Sequence, residues 1–222
     1  LGRIRIKGLT TMLETFAALF FAHVAADFVA QTRSLVDKKD RPAPMALHIA
    51  IVAFFSAFAV GLDLDSRTFW LALGLLTVSH GAMDLAKTHL LPPDRLWPYL
   101  LDQMVHIATI VALAFAFPGL SGAGLWAELA PELFPVLTSV FLVAGFGIIA
   151  VAGGDHAVRL LLGQLEAGRA ENGPEEVVGA LLAGKRIGQL ERGLVFLLML
   201  IGQAQGVAFL IAAKSILRFG TV

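Results

Sequence analysis

Residues 12–30 read MLETFAALFFAHVAADFVA. At 1.5 Å rise per residue, a helix of this length crosses much of a bilayer core of about 30 Å. The run has no period-two alternation, so a strand reading fails. Inside it stand His23 and, four residues on, Asp27. On a helix that spacing puts both side chains on one face, one turn apart. An ionisable group at membrane depth is costly and marks a functional site unless it only joins helices.

The arrangement recurs twice: His80 with Asp84 within residues 69–86, and Asp102 with His106 within residues 99–117. Apolar stretches at 45–62, 133–152 and 193–213 complete a set of six. The expected fold is all-α, a polytopic transmembrane helix bundle of about six spans. Seven is the alternative, and Gly202-Gln203-Ala204-Gln205-Gly206 is a point where the last stretch breaks into two half-helices. Residues 12–222 are read as a single transmembrane domain, with 153–192 a polar cytoplasmic loop. That loop carries two short amphipathic helices, 157–167 and 175–182, around Asn172-Gly173-Pro174. Residues 1–11 precede a natural start at Met12 and are read as an extension outside the fold.

Composition agrees with the spans. The chain of 222 residues is 57% hydrophobic and 15% charged, with a mean hydropathy of +0.78. A soluble domain of this size carries more charge and fewer long apolar runs. A net charge of zero gives no reason to expect a nucleic-acid partner. The absence of cysteine excludes disulfides, iron–sulfur clusters and thiolate zinc sites. Any metal must therefore be held by histidine and carboxylate.

Arg33, Lys38, Lys39 and Arg41, then Lys87 and Arg95, then Arg159, Arg169, Lys185, Arg186 and Arg192 fill the odd-numbered loops, against Arg67 alone in the even-numbered ones. The positive-inside rule then puts the odd loops in the cytoplasm and the start of the first span outside. Consecutive spans alternate in direction. His23, His80 and His106 therefore fall at one depth, and Asp27, Asp84 and Asp102 about one turn nearer the cytoplasm. His48 falls near the cytoplasmic end of the second span.

Imidazole nitrogen and carboxylate oxygen together suit zinc, or else iron or manganese. His23, Asp27, His80, Asp84 and His106 are the expected ligands of a divalent transition metal. Asp102 and His48 are the expected base or the supports behind the ligands, and Lys87 the electrophilic helper. Blander readings compete with these. A lone histidine in a membrane helix is most often an interhelical hydrogen bond, and an Asp–His pair one turn apart also suits a proton relay. Asp155 and His156 read as solvated. Lys38, Lys39 and Arg41 read as topology determinants or lipid headgroup contacts. Glu191-Arg192 reads as a helix-start pair, and Lys214 with Arg218 as snorkelling to an interface. Trp70 and Trp97 suit an aromatic belt, and Gly145-Phe146-Gly147 a close helix approach.

The motifs His23-x3-Asp27-Phe28-x2-Gln31, His80-x3-Asp84-x2-Lys87 and Asp102-Gln103-x2-His106 resemble those of the bacterial membrane family known as domain of unknown function 3307. The run Ile187-Gly188-x-Leu190-Glu191-Arg192, then Gly202-Gln203, then residues 209–219 are similar to that family's C-terminal signature. The resemblance covers residues 12–219 and brings a fold class but no activity. It implies that Glu191, Arg192, Lys214 and Ser215 join the site, and that a further apolar span follows Val222. A looser likeness is to bacterial membrane-bound metal-dependent hydrolases, by analogy only.

The expected function is a membrane-embedded metal-dependent hydrolase. It would act from the cytoplasmic side on a lipid-like or lipid-linked substrate, with membrane lipid as its partner. The alternatives are a proton- or ion-coupled transporter, and a non-catalytic membrane subunit of a larger complex, with a protein partner or an oligomer.

Overall fold

A computed structural model describes residues 2–166 and 174–219, with side chains at 8–32, 34–165 and 184–216. Among the described residues every regular element is helical. Helix α1 (Gly2–Ala25) runs without a break into a wider, π-helical turn, Ala26–Ala30. It is followed by a single helical turn, α2 (Arg33–Val36), and then by α3 (Pro42–Val60), α4 (Arg67–Leu90) and α5 (Leu96–Ala116). After the short α6 (Leu125–Leu129), α7 (Phe134–Ile148) passes through a second π-helical turn, Ile149–Gly153, into α8 (Gly154–Glu166). The chain ends with α9 (Pro174–Leu200) and α10 (Ala204–Phe219). Among the described residues, five helices are long and apolar enough to cross a membrane: Gly8–Ala30, Pro42–Val60, Arg67–Leu90, Leu96–Ala116 and Phe134–Leu165.

α1 is the axis of the bundle and touches α3, α5 and α7. Small residues allow this. Ala17, Ala18, Ala22, Ala25 and Ala26 are all buried, so neighbouring backbones approach closely. On α7 the close approach expected at Gly145 occurs: a Cβ there would lie 2.8 Å from the Phe20 ring of α1. The outward faces are apolar instead of polar. Phe54, Val78, Met104, Phe115 and Val136 are all more than half exposed, as lipid-facing side chains are.

Caps define both ends of α3. Pro42 and Pro44 start α3, where proline's missing N–H costs nothing. The helix stops at Gly61, whose φ of +99° is the left-handed conformation glycine tolerates best. The Leu62 N–H then bonds the Ala57 carbonyl at 3.0 Å. The Gly61 carbonyl accepts from Leu125 N–H at 2.6 Å, which docks α6 on α3. Thr15 of α1 donates to the Pro118 carbonyl at 2.9 Å and accepts from Ser121 N–H at 3.2 Å, tying the α5–α6 connection to the axis. A Cβ on Gly124 would overlap the Val60 carbonyl oxygen, which is backbone and has little room to move. Gly124→Ala is therefore expected to lower stability by about 1–3 kcal/mol, the usual cost of overpacking. Thermal unfolding in detergent checks this, with Gly74→Ala, which has open space around it, as a control that should lose nothing.

Three expectations need correction. The sixth apolar stretch is not one span. α9 ends at Leu200, the chain turns at Gly202 with φ +74°, and α10 folds back. Length and hydropathy alone do not reveal that reversal. The helices expected at 157–167 and 175–182 are not separate short ones, because α8 continues α7 directly and α9 runs unbroken from Pro174 into the apolar segment. Ala167, Arg169, Asn172 and Gly173 lie outside the described residues. Glu191-Arg192 stands in the middle of α9, not at a helix start.

Candidate functional site

The three His/Asp pairs do meet. His23 and Asp27 come from α1 and its π-helical turn, His48 from α3, His80 and Asp84 from α4, and Asp102 and His106 from α5. All four histidines, Asp84 and Asp102 are at most 3% exposed. The His80 and His106 rings stack at 3.9 Å between centroids, and the His23 ring lies 4.9 Å from His106.

The tightest convergence is between α1, α3 and α4. His48 Nε2 lies 3.1 Å from His80 Nε2 and 3.0 Å from Asp84 Oδ2. Asp27 Oδ1 is 3.5 Å from each of the two Nε2 atoms. Zinc bonds of about 2.0–2.2 Å in a tetrahedron space the ligand atoms roughly 3.3–3.6 Å apart. These separations are of that size. Three groups of donor atoms lie within 4.8 Å of one another: His23, His80 and His106; Asp27, His48 and His80; and Asp27, Asp102 and His106. His80 belongs to two of them.

Two lysines close the site on one side. Lys39 Nζ donates to Asp84 Oδ2, and Lys87 Nζ to Asp102 Oδ2, each at 2.8 Å. Gln31, with its amide turned to satisfy both of its atoms, accepts from Lys39 Nζ at 2.6 Å and donates to the Asp27 carbonyl at 3.2 Å. Gln103 donates to Asp102 Oδ2 at 3.1 Å, and its Oε1 stands 3.3 Å from His23 Nε2. With neutral imidazoles, three carboxylates against two ammonium groups leave one negative charge. Asp27 is the carboxylate with no lysine among the described residues. Its Oδ1, and the buried His23 Nδ1, His48 Nδ1, Asp102 Oδ1 and both His106 nitrogens, have no hydrogen-bond partner among the described residues. Buried polar atoms are rarely left so, and such a donor set fits a cation.

A small cavity of about 10 Å³ adjoins His23, His80 and His106, and Ser56, whose hydroxyl also lacks a partner, lines it. That is close to the volume one water needs.

The pattern of the sequence marks Lys39 only as a topology charge and assigns no role to Gln31 or Gln103. The one-turn helix α2 folds the loop back so that Lys39 reaches Asp84. His48 lies in the first third of α3, toward the end where it is expected, and is fully buried among the other imidazoles. Asp155 is not solvated, and His156 is only partly exposed. Asp155 is 5% exposed and paired with Arg192 at 3.1 Å and Arg159 at 3.3 Å, while the His156 ring packs on Tyr99. Lys214 pairs with Glu191, Arg192 Nε bonds the Val151 carbonyl, and Ser215 donates to the Ile211 carbonyl. The bonds these four residues make among the described residues thus lie elsewhere than on the His/Asp cluster. The Arg218 side chain lies outside the described residues.

An all-α bundle with five helices of membrane-crossing length and composition, enclosing a cluster of imidazoles and carboxylates, defines the class. Residues 15–126, half of the chain, match the model of the family described as protein of unknown function (DUF3307), and the chain belongs to that family. The match includes all eight candidate site residues and leaves out α7 to α10. No curated protein and no solved structure matches the chain, so the looser likeness to membrane-bound hydrolases has no support from that side.

Proposed function

We propose that this protein is a membrane-embedded metal-dependent hydrolase acting on a lipid-like or lipid-linked ester or phosphate from the cytoplasmic side of the inner membrane. The observation that carries the reading is the convergence of Asp27 Oδ1 with the Nε2 atoms of His48 and His80 at 3.1–3.5 Å, on a carboxylate with no lysine partner. A divalent ion, zinc by donor type, would offset that charge. His48 then joins the ligands, with Asp84 beside it, while His23 and His106 share His80 on the other side. Such an ion would supply Lewis-acid activation of water for hydrolysis. Asp102 and Lys87 hold each other at the more open edge, where Lys87 is 34% exposed and available to an anionic group of the substrate.

Protein reconstituted in vesicles with phosphomonoester and carboxylic-ester lipids is expected to release phosphate or fatty acid. Chelation should stop the release, and zinc should restore it. No release from metal-loaded protein would remove the hydrolase and leave the metal centre standing. A second reading, a proton or ion relay, is favoured by the cavity, which suits one water and not a lipid headgroup. Under that reading the same vesicles carry a proton or cation flux instead of releasing product.

A further inference from the structure

The C-terminal pair α9 and α10 forms an antiparallel hairpin. Its register can be read from contacts at both ends: Glu191 of α9 pairs with Lys214 of α10, and a Cβ on Gly206 would meet the Leu198 side chain at 3.0 Å. The register of α9 against α7 and its π-helical turn is equally defined. A Cβ on Gly154 would lie 3.1 Å from Arg192, one on Gly193 would lie 3.7 Å from Val151, and one on Gly147 would lie 3.2 Å from Phe196. Each residue forward along α9 thus stands about one residue further back along α7. Leu200, where α9 ends, comes level with about residue 143, half way along residues 134–153. From Arg192 to Leu200 the rise is about 12 Å, and along α10 from Ala204 to Ile216 about 18 Å. Half of a bilayer core is about 15 Å.

The surface of the hairpin fits that depth. Residues 193–213 contain no charge, and Leu197, Met199, Ile201, Phe209 and Ile211 are each more than half exposed. Glu191, Arg192 and Lys214 are gathered at the open end, beside Asp155, Arg159 and Lys185. At the tip, Gly202 N–H bonds the Met199 carbonyl at 3.1 Å, Gln203 N–H the Leu198 carbonyl at 2.7 Å and Gly206 N–H the Gln203 carbonyl at 2.9 Å. These bonds satisfy three of the turn's backbone N–H groups inside the hairpin, which lowers the cost of taking it out of water. The open end lies on the side of Lys39 and Lys87, because Tyr99 Oη, near the start of α5, donates to the Gly153 carbonyl at 3.1 Å and Lys87 Nζ stands 6.0 Å from the same ring.

We propose that residues 191–216 are a re-entrant hairpin. It dips half way into the membrane from the Lys39–Lys87 side, packs one flank on the π-helical turn that follows α7 and, through Phe196, on Gly147 of α7, and presents the other to the acyl chains of that leaflet. The cationic groups at its open end lie at the level of the lipid headgroups. Ser215 then returns to the side on which α9 enters and does not reach the far one.

The chain has no cysteine, so single cysteines report without background. In the full chain in vesicles, Ser215→Cys is expected to react with a membrane-impermeant maleimide from the same side as Ser34→Cys. Asp65→Cys marks the opposite side. Reaction from the Asp65 side, or from neither side, would overturn the proposal. A nitroxide at Phe209→Cys should collide freely with dissolved oxygen and poorly with a water-soluble nickel chelate. Protection from both would mean that protein, not lipid, covers this face, and would overturn it equally.

Discussion

Asp84→Ala is expected to cost about 3–5 kcal/mol of stability, the range for breaking a buried ion pair from one side. Asp84 is 3% exposed and accepts from Lys39 Nζ at 2.8 Å, with His48 Nε2 at 3.0 Å. Removing the carboxylate leaves the Lys39 side chain, only 12% exposed, with no carboxylate partner among the described residues, at the edge of an apolar bundle. Much of the loss is the cost of that stranded charge and not the net worth of the pair. The double variant Asp84→Ala with Lys39→Met should therefore recover a good part of it. Thermal unfolding of both in detergent measures the difference. A single variant as stable as the parent would mean that Lys39 simply swings into water and that the pair has no structural weight.

The sequence makes the centre legible because its chemistry is local to each helix. A histidine and an aspartate four residues apart share a face whatever the helix packs on, and alternating direction brings three such faces to one level. His48 has no partner on its own helix, and its place among the imidazoles follows from where α3 begins. Lys39 lies beyond any periodicity, since it reaches Asp84 through a one-turn helix and a fold-back that no pattern announces. A charge count would have raised it: three buried aspartates need cations, and Lys87 answers only one of them. The two π-helical turns were equally hidden. The first carries Asp27, and the second puts Gly153 within reach of Phe28 and Tyr99. An extra residue per turn leaves no mark on an apolar run, although such turns often occur at functional sites. The reversal at Gly202 was visible as a possible break. What the run of hydropathy concealed is that the two halves turn back on each other.

The second large effect concerns His80, which stands in two of the three ligand groups found among the described residues, with His23 and His106 on one side and with Asp27 and His48 on the other. Changes behind a metal's ligands already cost about 10–100-fold in affinity, so loss of a shared ligand should cost more. The pocket it leaves is bordered by other imidazoles and by Leu76 and Ile110, and helix content should survive the change.

The direct measurement is the metal content of protein purified without added metal and without a nickel-affinity step, for the parent chain and for His80→Ala. Roughly one or two zinc ions per chain in the parent, and almost none in a helical, folded His80→Ala, is the expected result. A metal-free parent that keeps its fold in chelator, or a His80→Ala variant that keeps its full complement of metal, would contradict it.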